Sequence, residues 1–502
     1  MSDLLANLGL GLSVALSLQN VVFCFLGVLL GTLIGVLPGV GPVATIAMLL
    51  PITATFDSPA TAMIMLAGIY YGAQYGGSTT AILMNMPGEP SSSVTAIDGY
   101  KLARKGRAGP ALATAAIGSF FAGTIATIVI SVAAPPLARY ALKFGPPEYF
   151  SLMVMGLICA VALAHGSVIK ALGMVILGLL FGLVGADIFA GVDRFTFGIR
   201  ELTDGLNFAA VAVGIFGIAE ILRNLENERA RDAMVTKITG LMPTKDDLKR
   251  IAAPILRGTA LGSLLGVLPG GGSILAAFAA YTVEKRVSKT PEEFGQGAIQ
   301  GVAGPESANN AGAQTSFIPM LTLGVPTNPV LAVMMGAMIL QGIIPGPQVI
   351  TRNADLFWGV IASMWIGNAM LVILNLPLIG LWVRLLTIPY YVLFPAIIAF
   401  AAIGSYSIAS NEYDLYALAL FGGLGYILVR LGCEPAPFLL GFVLGPQMEE
   451  HLRRALIISR GDWSVFLTRP LSATLLGIAA VVLLIVFVPQ IARKRATVFQ
   501  ED

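Results

Sequence analysis

The sequence predicts an all-α polytopic membrane protein with about ten to twelve transmembrane helices. They form two inverted-topology repeats, each with a Pro-Gly-broken re-entrant hairpin and a second discontinuous helix. Three observations carry this reading. Of 502 residues, 56% are hydrophobic and only 12% charged, about half the charge an ordinary soluble domain carries. Many apolar runs reach the roughly 20 residues that cross a bilayer, among them 111–138, 168–191 and 470–492. Finally, "GTLIGVLPGVGP" (31–42) returns as "GSLLGVLPGGGS" (262–273), with eight of twelve positions identical.

The same features exclude other classes. A β-barrel would show short alternating segments, and they are absent. The net charge of +2 gives no reason to expect nucleic acid as a partner. Cys24, Cys159 and Cys433 sit in apolar runs without metal or disulfide spacing, and His165 and His451 lack metal spacing too. The N-terminus has no basic region ahead of its apolar stretch, so it does not read as a cleaved signal peptide. "GVGPVA" (39–44) matches a dinucleotide pattern only formally, because it follows an apolar helix rather than a strand. No hydrolase or metalloprotease motif occurs, and no P-loop for direct use of ATP. The chain is expected not to be an enzyme and to need no cofactor.

Along the chain, residues 1–222 read as the first repeat, with a hairpin motif at 31–42 and a second motif at 70–92. Residues 223–252 form a charged cytoplasmic connecting loop. Residues 253–502 hold the second repeat, with motifs at 262–273 and 304–329, and the C-terminal helices. Each second motif runs from small and polar residues into P-x-x-P, at Pro87/Pro90 and Pro326/Pro329. The first basic residue of the chain is Lys101, so the first hairpin has no Lys or Arg beside it. The second is flanked by "KDDLKR" and "EKRVSK". Basic loops favour the cytoplasm. The first hairpin should therefore enter from outside and the second from inside, with the N-terminus outside and 101–107, the central loop and 493–495 inside. Parallel repeats are the alternative, because the charge rule is statistical.

A helix broken inside a bilayer strands backbone groups, and it survives only when buried or when lining a cavity. The helix that resumes after the break offers free N–H groups and a partial positive charge to an anion. Unwound carbonyls can hold a cation. This makes Gly39, Gly41, Gly270 and Gly272 candidates for close backbone approach to an anionic substrate. Ser78, Thr79, Thr80, Asn85, Ser273, Thr327 and Asn328 are the candidate polar contacts. Ser78, Asn309, Asn310, Thr315 and Glu306 are the candidate ion ligands. Their oxygen chemistry suits Na⁺; the alternative is H⁺ carried by Glu306. Each has a plainer reading: glycine packing, interhelical hydrogen bonding, or a structural carboxylate at Glu306. Glu89, beside Pro-Gly, reads as a residue of a solvated loop.

"YYGAQYGGSTTAILMNMPGEP", "GVLPGGGS", "GPESANNAG" and "IPMLTLGVPTNP", with the first hairpin motif, resemble the large membrane subunit of the tripartite tricarboxylate transporter family over roughly residues 15–440. The resemblance implies a secondary-active importer in the bacterial inner membrane that takes citrate, other organic carboxylates or aromatic acids; the alternative reading of the residues is a passive anion channel or a membrane scaffold subunit. It implies two partners: a small four-span membrane subunit and a periplasmic binding protein that delivers substrate. In this family Pro-Gly is common where this sequence has Pro326-Thr327, a departure that bears on the second half-site.

The orientation is open to direct measurement. Single cysteines at Thr55 and Ser288 are expected to react with an impermeant thiol reagent from opposite sides of the membrane. Reaction from one side would contradict the inverted arrangement.

Overall fold

The computed structural model describes residues 2–37, 41–164, 167–187, 189–226, 240–268, 272–385, 390–409 and 411–487. Pro38–Val40 and Pro269–Gly271 at the two breaks, residues 227–239 of the central loop, His165 and the basic 493–495 lie outside the described residues, and so therefore do Gly39 and Gly270.

The first half begins with α1 (Ser2–Ala15), α2 (Leu18–Val36), α3 (Pro42–Ala54), α4 (Pro59–Met84), α5 (Ser93–Leu102) and α6 (Ala108–Ala141). It continues through α7 (Pro146–Leu163), α8 (Val168–Gly182) and α9 (Phe208–Glu226), the last with a π-helical stretch at Val213–Ile218. A two-stranded antiparallel ribbon, β1 (Gly185–Ala186) and β2 (Asp193–Arg194), joins α8 to α9. The second half has α10 (Lys245–Leu265), α11 (Gly272–Val287), α12 (Gln300–Thr315), α13 (Phe317–Leu323) and α14 (Pro329–Leu340). Then come α15 (Ala354–Asn375), α16 (Ile379–Leu385), α17 (Tyr390–Ala409), α18 (Glu412–Arg430), α19 (Pro435–Ile458) and α20 (Pro470–Phe487). Among the described residues, seven helical segments are long and apolar enough to cross a membrane, and four shorter apolar helices accompany them. α3 and α14 are short because each starts at a chain break.

Both breaks fall where the sequence puts proline and glycine. α2 ends at Val36 and the chain re-enters helix at Pro42. α10 ends at Leu265 and re-enters at Gly272. The leg that enters each break lies along a partner helix by the same device. Gly27, Gly31 and Gly35 meet the Met65, Ile69 and Ala73 carbonyls of α4 so closely that a Cβ would overlap them. Gly258, Gly262 and Gly266 meet the Gly304, Ala308 and Gly312 carbonyls of α12 in the same way. Small residues permit backbone contact where lipid offers no hydrophobic drive between helices. A hydroxyl seals each pair at matching positions: Thr80 donates to the Gly35 carbonyl at 3.3 Å and Ser316 to that of Gly266 at 2.9 Å.

The second discontinuity also occurs twice. α4 stops at Asn85, in the left-handed region at φ 56°, and helix resumes at Pro90. α13 stops at Gly324, at φ 69°, and helix resumes at Pro329. The halves are interleaved rather than side by side. α12 packs on α6, α11 on α5 and the Pro90–Ser92 turn, and α3 on α14.

Charged residues gather beyond the two ends of α6. Past its start, Arg107 pairs with Asp247 at 2.6 Å, and Arg250 pairs with Glu293. Past its finish, Glu148 pairs with Arg469 at 2.5 Å, and Arg453 with Asp187 at 2.8 Å. The 34 residues between make about 50 Å of helix, more than a hydrocarbon core needs. On α20, Val481, Leu484, Ile485 and Phe487 are exposed, the kind of apolar surface that lipid covers.

The glycine contacts give a stability test. Gly31→Ala and Gly262→Ala are each expected to cost about 1–3 kcal/mol by overpacking, read as a lower unfolding temperature in detergent. Gly9→Ala, whose Cβ would meet nothing within 4 Å, should not lower it.

Candidate substrate and ion site

Glu306, Asn309 and Asn310 share one face of α12, as spacings of three and four residues require. The Glu306 side chain is fully buried. Its carboxylate accepts from Ser78 Oγ on α4 at 2.7 Å, from Thr95 Oγ1 on α5, and from Ser119 Oγ on α6 at 3.5 Å. Asn310 Nδ2 donates to Ser119 Oγ at 2.6 Å and to the Glu306 carbonyl at 3.1 Å. A carboxylate of the second half is thus held by hydroxyls of the first. A buried carboxylate without such partners would be too costly to keep ionised. A narrow crevice lined by Tyr75, Ser78, Thr79, Ser119 and Asn375 reaches two of those hydroxyls.

A second polar cluster adjoins the first. Glu89 is buried rather than solvated. Its Oε1 accepts from Ser91 Oγ and, at 3.2 Å, from Asn309 Nδ2. Nearby, the Tyr70 hydroxyl accepts from Asn328 Nδ2 at 3.0 Å and faces the Ser273 side chain. Asn328 also caps α14, accepting the Leu331 N–H at 3.0 Å. Two helix starts, α11 and α14, therefore meet at Tyr70, a residue that sequence reasoning did not select. Thr327 beside them is fully buried, and its Oγ1 has no hydrogen-bond partner among the described residues.

The other candidates have different surroundings. The Gly41 N–H, expected to face an anionic ligand, donates to the Glu220 carboxylate of α9. The chain supplies its own anion at the start of α3. The signal for Glu220 was available, a lone carboxylate in an apolar run, since such residues are costly in membranes and usually functional. Gly272 opens α11 against Ser316, which a Cβ would meet at 3.0 Å. Thr79 lines the crevice, and Thr80 belongs to the helix contact described above. Asn85 is an exposed helix cap. Thr315 donates to Ala311 and Gly262 carbonyls at the α10–α12 contact and does not join the Glu306 cluster. Among the described residues no group of three or more His, Cys, Asp or Glu is arranged to hold a metal ion.

Residues 21–440, both hairpins and both polar clusters included, match the tripartite tricarboxylate transporter TctA family. The chain belongs to that family. It is 66% identical over 502 residues, the full length of both chains, to an uncharacterized 52.8 kDa protein in the TAR-I ttuC' 3' region of Agrobacterium vitis. It is 68% identical over 241 residues to an uncharacterized protein in the TAR-II ttuC' 3' region of the same organism, covering 48% of this chain and all of that one. No solved structure matches. A TctA-family chain is a multi-pass membrane subunit of a tripartite tricarboxylate transporter, which agrees with the apolar helices and with the expectation of a transport protein.

Thr327 separates a structural from a functional role. A buried hydroxyl without a partner costs about 1–3 kcal/mol. The nearly isosteric Thr327→Val change should therefore raise the unfolding temperature while lowering carboxylate uptake. Unchanged uptake would remove Thr327 from the site.

Proposed function

We propose that this chain is the translocating subunit of a cation-coupled importer of organic carboxylates in a bacterial inner membrane. It takes substrate from a periplasmic binding protein and works beside a small four-span membrane subunit. Substrate carboxylates meet Tyr70, Ser273, Thr327 and Asn328, where the starts of α11 and α14 supply N–H groups and dipole charge. No Lys or Arg lies in these motifs, so a co-bound cation offsets the substrate's charge. Ser78, Asn310 and Glu306 hold that cation, assigned as Na⁺ because hydroxyl, amide and carboxylate oxygens suit a hard ion. The observation that carries this reading is the Glu306 carboxylate, buried in one half and bonded to Ser78 and Thr95 of the other.

That placement supports transport by alternating access. The two halves form inverted repeats whose hairpins enter from opposite faces. Binding of cation and substrate across the seam favours one arrangement of the halves over another. The same seam would couple the two ligands, because each completes a surface that the other also touches.

The test is uptake of radiolabelled citrate, and then a panel of di- and tricarboxylates, into proteoliposomes holding both membrane subunits, with binding protein outside. At fixed pH, replacing Na⁺ by choline should abolish uptake. Glu306→Gln should lower it by at least about 100-fold, the loss of roughly 2.7 kcal/mol of coupling interaction. Uptake that survives without Na⁺ but collapses with the proton gradient would make Glu306 a proton carrier instead.

A further inference from the structure

We propose that Glu89 forms a second cation site, distinct from Glu306, so that two Na⁺ bind per chain. The inference rests on the cation-coupled reading above. It begins with a comparison inside the chain. Asn85-Met86-Pro87-Gly88-Glu89-Pro90 and Gly324-Val325-Pro326-Thr327-Asn328-Pro329 make the same turn, from a left-handed helix cap to a new helix starting at proline. Glu89 therefore corresponds to Asn328. The neutral Asn328 caps its helix with a side-chain oxygen, so the turn itself does not require a charge. Glu89 places an ionisable carboxyl inside the protein, where an uncompensated carboxylate is expensive.

Hydroxyl and amide side chains surround Glu89. Ser91 Oγ donates to its carboxylate and lies 3.2 Å from Gln74 Oε1. Asn309 donates through Nδ2, which leaves Asn309 Oδ1 fully buried and without a hydrogen-bond partner among the described residues. The Gln74 side chain is buried beside the same carboxylate. An amide that spends its nitrogen on a carboxylate and strands its oxygen gains from a half-turn once a cation sits between the two. The oxygens of Asn309, Gln74, Ser91 and Glu89 then all face the ion. This matches the hard-oxygen chemistry of an alkali cation. Among the described residues no Lys or Arg forms an ion pair with Glu89.

The two sites share one helix face. Asn309 belongs to the Glu89 cluster and its neighbour Asn310 to the Glu306 cluster. Tyr70, which contacts Asn328 and Ser273, lies close enough to Glu89 to feel its charge. A cation at Glu89 would thus sit beside the substrate, and one at Glu306 about one helical turn away along α12.

The experiment measures equilibrium binding of ²²Na⁺ to the purified full-length chain in detergent, without substrate. Wild type is expected to bind about two ions, Glu89→Gln and Glu306→Gln about one each, and the double variant none. Should Glu89→Gln fail to remain monodisperse, Asn309→Leu removes the stranded oxygen from another helix. It is expected to weaken one of the two sites at least about 10-fold. One ion in wild type, retained in Glu89→Gln and lost in Glu306→Gln, would overturn the second site and leave the cation-coupled reading standing. No Na⁺ binding to wild type would overturn that reading itself, and the second site with it.

Discussion

Among the described residues the Glu306 carboxylate has no cationic side chain to balance it, and its hydrogen bonds come from across the seam between the halves. Much of the structure can be understood as the means of keeping that arrangement. Three hydroxyls from three helices must converge on one buried group. This needs α4, α5 and α6 of one half to be locked around α12 of the other. In the interior of a membrane protein neither a stray carboxylate nor a stray donor is tolerated cheaply. The cluster and the packing that encloses it therefore depend on each other.

The packing is supplied by glycine. Both incoming hairpin legs lie against their partner helices through carbonyl contacts that only a hydrogen side chain allows. Thr80 and Ser316 fix the axial register of the two pairs. Once α4 and α12 are positioned this way, their polar faces turn toward the seam. The left-handed stops at Asn85 and Gly324 then bring the Glu89 and Asn328 turns to the same region. Backbone breaks, helix contacts and polar clusters form one construction.

Much of the fold was legible because breaks inside apolar runs are hard to hide: Pro-Gly clusters in a bilayer-length segment have few physical explanations. The site was legible in part. Composition pointed to Ser78, Asn310 and Glu306, which do meet, but it treated Thr315 as their equal. Thr315 lies nine residues from Glu306, and at about 100° per residue that is the opposite face of the helix. Helical periodicity would have excluded it. The Ser78–Glu306 pair spans 228 positions, and no local pattern announces such a contact. Glu220 and Tyr70 were missed for different reasons. Glu220 is a lone acid in an apolar run and carried a signal that was not used. Tyr70 looks like any buried aromatic until Asn328 and Ser273 are seen beside it. Glu89 was misplaced because Pro-Gly usually marks a solvated loop, whereas here the turn is folded into the interior.

The central claim, that a cation binds at the seam on Glu306, is tested most directly by imaging the site. Density maps of the full-length chain can be compared at high resolution in NaCl and in choline chloride. The account predicts a discrete feature in Na⁺ alone, in contact with the Glu306 carboxylate, Ser78 and Asn310 and bounded by the Thr95 and Ser119 hydroxyls. Identical maps, with those hydroxyls bonded to Glu306 in both and a Na⁺-dependent feature elsewhere or nowhere, would contradict it.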